Sequence, residues 1–144
     1  MTTLHLGVVD VAYTGDDGAG KTTGDVAGYL EDRYHIMRVF IENHEKFVGD
    51  ALADAVAGAI ESMMQGKPGG ALDLKGATGK IEERFRDYLS SGELARMLPV
   101  SQQSQAAAAG VNHRKITPYA KKNKARAAFI DTGLYQASFR AWVD

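Results

Sequence analysis

Thr22-Thr23-Gly24-Asp25-Val26 opens the stretch whose reading decides the fold, and that stretch runs on to Met63. From Val26 the residues Leu30, Tyr34, Met37, Ile41, His44, Val48, Leu52, Val56, Ile60 and Met63 recur every three or four positions. That is the spacing of one face of a helix. Phe40 and Phe47 widen the stripe. The lead-in has the form of a capping box: a Thr hydroxyl accepts an amide, and Asp25 three residues on returns the bond. A break near Tyr34-His35 divides the pattern into a short helix and a long one. Gly28, Gly49 and Gly58 each weaken it by up to about 1 kcal/mol relative to Ala. Leu52, Val56 and Ile60 are expected to face the core. The small residues of 49–59 permit close helix–helix or subunit contact, or an ordinary buried face.

Upstream, Leu4 to Tyr13 is rich in Val and Leu and reads as a strand. Residues 14–20 form a Gly/Asp turn. Downstream, Gly66-Lys67-Pro68-Gly69-Gly70 ends the long helix, and the Gly-rich residues 71–79 read as loop. Ile81, Phe85, Tyr88 and Leu89 mark a second amphipathic helix ending at Ser90-Ser91-Gly92, with a helical turn continuing to Leu98 before Pro99. Residues 101–111 have no apolar periodicity and read as an arm. Thr117-Pro118-Tyr119 and the lysines after it read as extended, exposed chain. The expectation is one domain over residues 1–144 of α+β class. It is mainly helical, with long amphipathic helices packed on a small β-sheet and a basic extended arm over about 101–128.

At 44% hydrophobic and 24% charged residues the chain is of globular type. It has no Cys, which excludes disulfides and thiolate chemistry. No apolar run approaches the roughly 20 residues that span a bilayer, and the start lacks a signal-peptide pattern. The expected setting is therefore the cytoplasm, without a membrane partner. The net charge of −1 hides an asymmetry: residues 1–65 carry 11 acidic and 4 basic side chains, residues 66–144 carry 7 and 13. Arg114, Lys115, Lys121, Lys122, Lys124 and Arg126 cluster with no acidic residue among them. Such polarity fits pairing of the two halves within one chain, head-to-tail contact between copies, or contact with a phosphate backbone.

Gly15-Asp16-Asp17-Gly18-Ala19-Gly20-Lys21-Thr22 satisfies the pattern G-x-x-x-x-G-K-[ST]. Such a loop cradles phosphate on backbone amides at a helix start, with the Lys on the outer phosphates. The run Asp17–Thr23 resembles the P-loop of thymidylate-kinase-like nucleotide kinases, which makes a P-loop kinase or NTPase the alternative reading. Against it, a P-loop fold needs several parallel strands joined by helices. Here one strand is followed by roughly forty residues of helical pattern. The other reading of the loop is a Gly/Asp surface turn capped by Thr22 or Thr23.

His5, His35, His44 and His113 are scattered, so no zinc site is expected. Glu82, Glu83 and Asp87 read as a solvated helix face. Asp131-Thr132-Gly133 matches the aspartic-protease triplet, but that chemistry needs two aspartates sharing one site. No catalytic residue, cofactor or metal is expected.

The run Phe129-Ile130-Asp131-Thr132-Gly133-Leu134-Tyr135-Gln136-Ala137-Ser138-Phe139 resembles a motif of tailed-phage minor structural proteins of the neck and tail-completion type. Physically, Asp131 or Thr132 can cap a short helical turn, and Gly133 costs little there. Leu134 and Ser138 then share a face. Phe139, Ala141 and Val143 alternate with Arg140 and Trp142 as in a strand. The long helix and the basic lead before the motif fit the same family. The resemblance implies a non-enzymatic virion subunit at the head–tail junction (head completion, connector or tail terminator), assembled as a homo-oligomeric ring in the host cytoplasm. It implies other neck, portal or tail proteins as neighbours, and passing contact with DNA in the channel. Candidate subunit-interface residues are Arg114, Lys115, Lys121, Lys122, Lys124, Arg126, Asp131, Leu134, Tyr135 and Trp142. The C-terminal motif is expected to pack on the long helix.

Overall fold

Thr22 and Asp25 form the expected capping box, each side chain bonding the other's backbone, and α1 runs from Thr23 to Tyr34. A computed structural model of the chain describes residues 2–13, 20–67, 72–97 and 133–144. The break falls at His35, whose φ of 51° is left-handed and turns the chain between α1 and α2 (Ile36–Met64). His35 offers no side-chain cap. Glu31 of α1 supplies it across the corner, accepting the Met37 amide at 2.8 Å and the Arg38 amide at 3.2 Å. One carboxylate thus ties the two helices at the positive end of α2.

The next helix, α3, spans Lys75–Ser90, and a short α4 spans Glu93–Met97. The loop expected over 71–79 is corrected here: Lys75 to Gly79 form the start of α3. Gly76 and Gly79 lie on its exposed side, while Ala77 is buried and extends the stripe of Ile81, Phe85, Tyr88 and Leu89. Packing of that stripe outweighs the helix cost of about 1 kcal/mol per glycine. Asp73 accepts the Lys75 amide and relieves the first turn.

The chain ends in α5 (Leu134–Ser138) and β2 (Phe139–Val143). Gly133 precedes α5 with φ +77°, a conformation that L side chains rarely adopt. β2 pairs antiparallel with β1 (Leu4–Val8), His5 opposite Trp142 and Leu6 opposite Ala141. The strand expected over 4–13 is shorter than its apolar run. Beyond Val8 the chain leaves the ladder, and Ala12 makes only an isolated bridge to Thr22. Thr23 fastens this turn, its buried hydroxyl donating to the Val9 carbonyl and accepting the Val11 amide.

The molecule is therefore of α+β class, mainly helical, with a two-stranded antiparallel sheet. α3 is the central layer, with α2 on one side and β2 on the other. Phe85 stacks on Phe139 of β2 at 3.7 Å between ring centroids and takes the edge contact of Phe40 from α2 at 5.1 Å. Ile36, Ile81, Tyr88, Leu89 and Leu94 complete this core. Two further expectations are corrected. The C-terminal motif packs on α3 and α1, not on the long helix. And the core contact of α2 ends near Ala51, leaving Val56 39% and Ile60 53% exposed. Periodicity shows that a helix has an apolar face; it does not show what lies against that face.

Truncation of Phe85 to Ala is expected to lower stability by about 3–5 kcal/mol, while Ile60→Ala in dilute solution should change it by less than about 0.5 kcal/mol. Urea unfolding measures both, and a larger loss at Ile60 would mean that α2 is registered differently against α3.

Candidate functional site

The turn that carries the P-loop pattern is described only at its end, since Gly15–Ala19 lie outside the described residues. At that end the amides of the α1 start have internal partners. Thr22 N–H donates to Asp25 at 3.0 Å, Thr23 N–H to the Val11 carbonyl at 2.9 Å, and Gly24 N–H to Asp10 at 2.9 Å. The Thr22 hydroxyl, and then the Gly24 amide, hold the Asp10 carboxyl below its ordinary range. Two carboxylates thus engage the Thr22 and Gly24 amides at the start of α1. Gly24 allows this closeness: a Cβ there would meet Asp10 Oδ1 at 2.8 Å.

A second polar cluster lies where α2, α3 and α4 meet. The buried His44 ring reaches back to the Phe40 carbonyl through Nδ1 at 2.9 Å, and its Nε2 lies 3.1 Å from Glu93. Both partners are acceptors, so both contacts are satisfied together only when each ring nitrogen carries a proton. Glu93 also takes Arg84 at 3.0 Å. His44 has φ −123° and ψ 18°, and α2 kinks there, as helices do where a side chain enters the backbone ladder. Tyr88 packs edge-on to His44, and its hydroxyl has no hydrogen-bond partner among the described residues. Burial, and then the charges of Glu93 and Glu31, push the Tyr88 phenol well above its ordinary range. Burial does the same to Tyr135.

The sheet has two unlike edges and two unlike faces. Glu82 covers the outer edge of β2, accepting the Ala141 amide at 3.0 Å while pairing with Arg86. This corrects the solvated-face reading of Glu82. At the two ends of the ribbon Thr3 exchanges hydrogen bonds with Asp144 and the Val9 amide donates to the Ser138 carbonyl, a register that leaves the main-chain groups of Leu4, Leu6 and Val8 turned away from β2. These groups have no main-chain partner among the described residues. Leu4, Leu6 and Val8 pack on the core with their side chains. On the opposite face Trp142 stacks on His5 at 5.4 Å and overlies Gly7, where a Cβ would meet the indole at 2.9 Å. His5 Nε2 lies 3.0 Å from Asp144. Trp142 remains 48% exposed even so.

Of the residues singled out by sequence, Arg114, Lys115, Lys121, Lys122, Lys124, Arg126 and Asp131 lie outside the described residues. Leu134 is partly buried in the first turn of α5. Tyr135, 5% exposed, belongs to the core of its own chain, with little surface left for a neighbour. Trp142 alone among them presents a large apolar surface. Sequence reasoning missed Glu93, Glu82 and Asp10, whose partners are distant along the chain and have no local signature. Among the described residues no His/Asp/Glu group could hold a metal ion, and no helix is long and apolar enough to cross a membrane. No protein family, curated protein or solved structure matches the chain.

Tyr88→Phe is expected to leave stability at neutral pH unchanged or higher, because it removes a buried hydroxyl that lacks a partner. The raised phenols of Tyr88 and Tyr135 bind their protons more tightly in the folded state, so their contribution is full below the ordinary tyrosine value of about 10 and falls as pH rises above it. Urea midpoints taken from pH 8 to 11 should drop in the parent chain and drop less in Tyr88→Phe. Equal slopes would remove Tyr88 from the linkage.

Proposed function

We propose that the chain is a structural subunit of a tailed-phage virion, acting at the neck or head–tail junction by assembling into a ring with copies of itself and with neighbouring neck, portal or tail proteins. The observation that carries this reading is the segment from Gly133 to Val143. Its residues Gly133 to Phe139 belong to the phage-type motif, and its form suits assembly. A glycine turn and the short helix α5 run directly into β2, one face of which is core while the other carries Arg140 and Trp142 outward. Trp is among the residue types enriched at the energetic centre of interfaces. Beside it, the β1 edge offers main-chain donors and acceptors suited to an added strand.

In this reading the basic residues of 114–126 face acidic surface on a neighbour or DNA in the channel, and the subunit works without chemistry of its own. The kinase reading would need the α1 start to receive phosphate. Its Gly24 amide is engaged by Asp10, and Asp25 occupies the Thr22 amide.

Purified chain is expected to form rings visible by negative-stain electron microscopy, with a matching mass by light scattering. Trp142→Ala should leave the circular dichroism unchanged and weaken ring formation by at least tenfold. Isothermal titration with ATP and Mg²⁺ should show no heat of binding. Micromolar ATP binding abolished by Lys21→Ala, with no ring, would replace this proposal with the nucleotide-binding one.

A further inference from the structure

The far half of α2 presents an apolar seam that none of the described residues covers. Gly49, Ala53, Val56, Ile60 and Met63 are all exposed, with Ile60 at 53% and Met63 at 51%. Their spacing alternates four and three residues, which is the repeat of a helix that pairs with another helix through knobs and holes. Leu52 and Ala59 flank the seam on one side, Ala57 and Met64 on the other, and Met64 is 83% exposed. Val56, Ile60, Met63 and Met64 alone offer apolar surface on the order of 400 Å², a size at which an exposed patch marks an interaction site.

From this seam we infer that two copies of the free chain associate through α2, with the two helices antiparallel. Side-chain size is graded along the seam, from Gly49 and Ala53 at one end, through Val56, to Ile60 and Met63 at the other. In an antiparallel pair centred on Val56, Val56 meets Val56 of the partner subunit. Ala53 then packs between Ala59 and Ile60 of the partner subunit, and Gly49 meets Met63 of the partner subunit. Ile60 and Met63 each find a small side chain, so the layers are far more even in volume than in a parallel pair. A parallel pair in register would set glycine on glycine and methionine on methionine, leaving a void at one end and crowding the other. It would also set Glu45 beside Asp50 of the partner subunit, two like charges. The antiparallel pair instead sets Asp50 beside Met64 of the partner subunit. At the ends, Lys46 is held by its own Asp50 and Lys67 lies past the last helical turn, so both remain in water.

The area is about half of what each partner contributes to a standard interface, so the pair is weak and reversible. A two-fold contact closes at two copies. It is therefore a state of the free chain, distinct from a ring contact through Trp142, and it holds whether or not the chain is a virion subunit.

Sedimentation equilibrium of the full chain should show the mass rising from 15.5 kDa toward twice that value between micromolar and millimolar concentration, with Trp142→Ala included to remove ring formation. In that background Ile60→Glu should stay monomeric, with unchanged circular dichroism because its side chain is exposed. The chain has no cysteine, so single cysteines report the geometry directly. Val56→Cys should oxidise to a covalent dimer, Ala53→Cys mixed with Ile60→Cys should cross-link as a heterodimer, and Met63→Cys should not join to itself. A mass fixed at the monomer value at millimolar concentration would overturn the inference. So would association of Ile60→Glu at the parent level, or self-linking of Met63→Cys as fast as Val56→Cys.

Discussion

The stack of Phe85 on Phe139 is the contact on which the rest of the structure depends. It joins the middle of α3 to the first residue of β2, far apart in the chain, and Phe40 closes it from α2. A two-stranded ribbon alone is marginal in water. β2 is held because Phe139 and Ala141 are buried on α3, and β1 is held because it pairs with β2. Around the aromatic stack each polar group is arranged to keep α3 seated. Glu82 takes the outer edge of β2, Gln136 of α5 donates to the Arg86 carbonyl, and Glu93 gathers His44 and Arg84. Removing one of these partners would strand a half-buried charge or amide, which costs more than the bond itself contributes.

The same geometry divides the molecule by role. The end near α3 and the sheet is saturated with contacts. The outer half of α2, the outward face of β2 and the β1 edge are not, and they carry Ile60, Met63, Met64 and Trp142 into solvent. Large apolar surface exposed at separate places among the described residues fits the proposed assembly role. The α1 start shows the opposite economy: the amides of Thr22, Thr23 and Gly24 are satisfied by Asp25, the Val11 carbonyl and Asp10, so the described end of the phosphate-loop pattern has the bonding of a capped helix start. Both observations support the assembly reading over the nucleotide one.

What sequence revealed was local. The Thr22–Asp25 box, the corner at His35, the end of α2 at Gly66 and the alternation of Phe139 to Val143 each depend on neighbours within a few residues. What it hid was non-local. Val56 and Ile60 have the spacing of a core stripe, yet the helix outruns the body it packs on, and nothing within those residues records where the partner ends. Lys75–Gly79 looked like loop because two glycines outweighed one buried alanine. Glu82 looked solvated because the Ala141 amide that claims it lies 59 residues away. At the candidate site, Trp142 was legible as a large apolar group near the chain's end; the His5 stack beneath it was not, since strand register is set by the whole sheet.

Fluorescence of Trp142, the only tryptophan, tests the central claim most directly. The account predicts that iodide or acrylamide quenches it readily in the dilute free chain, where it is 48% exposed, and that it becomes protected as the chain assembles. Trp142 equally open to quencher in free and assembled chain would contradict the claim that this face is where subunits join.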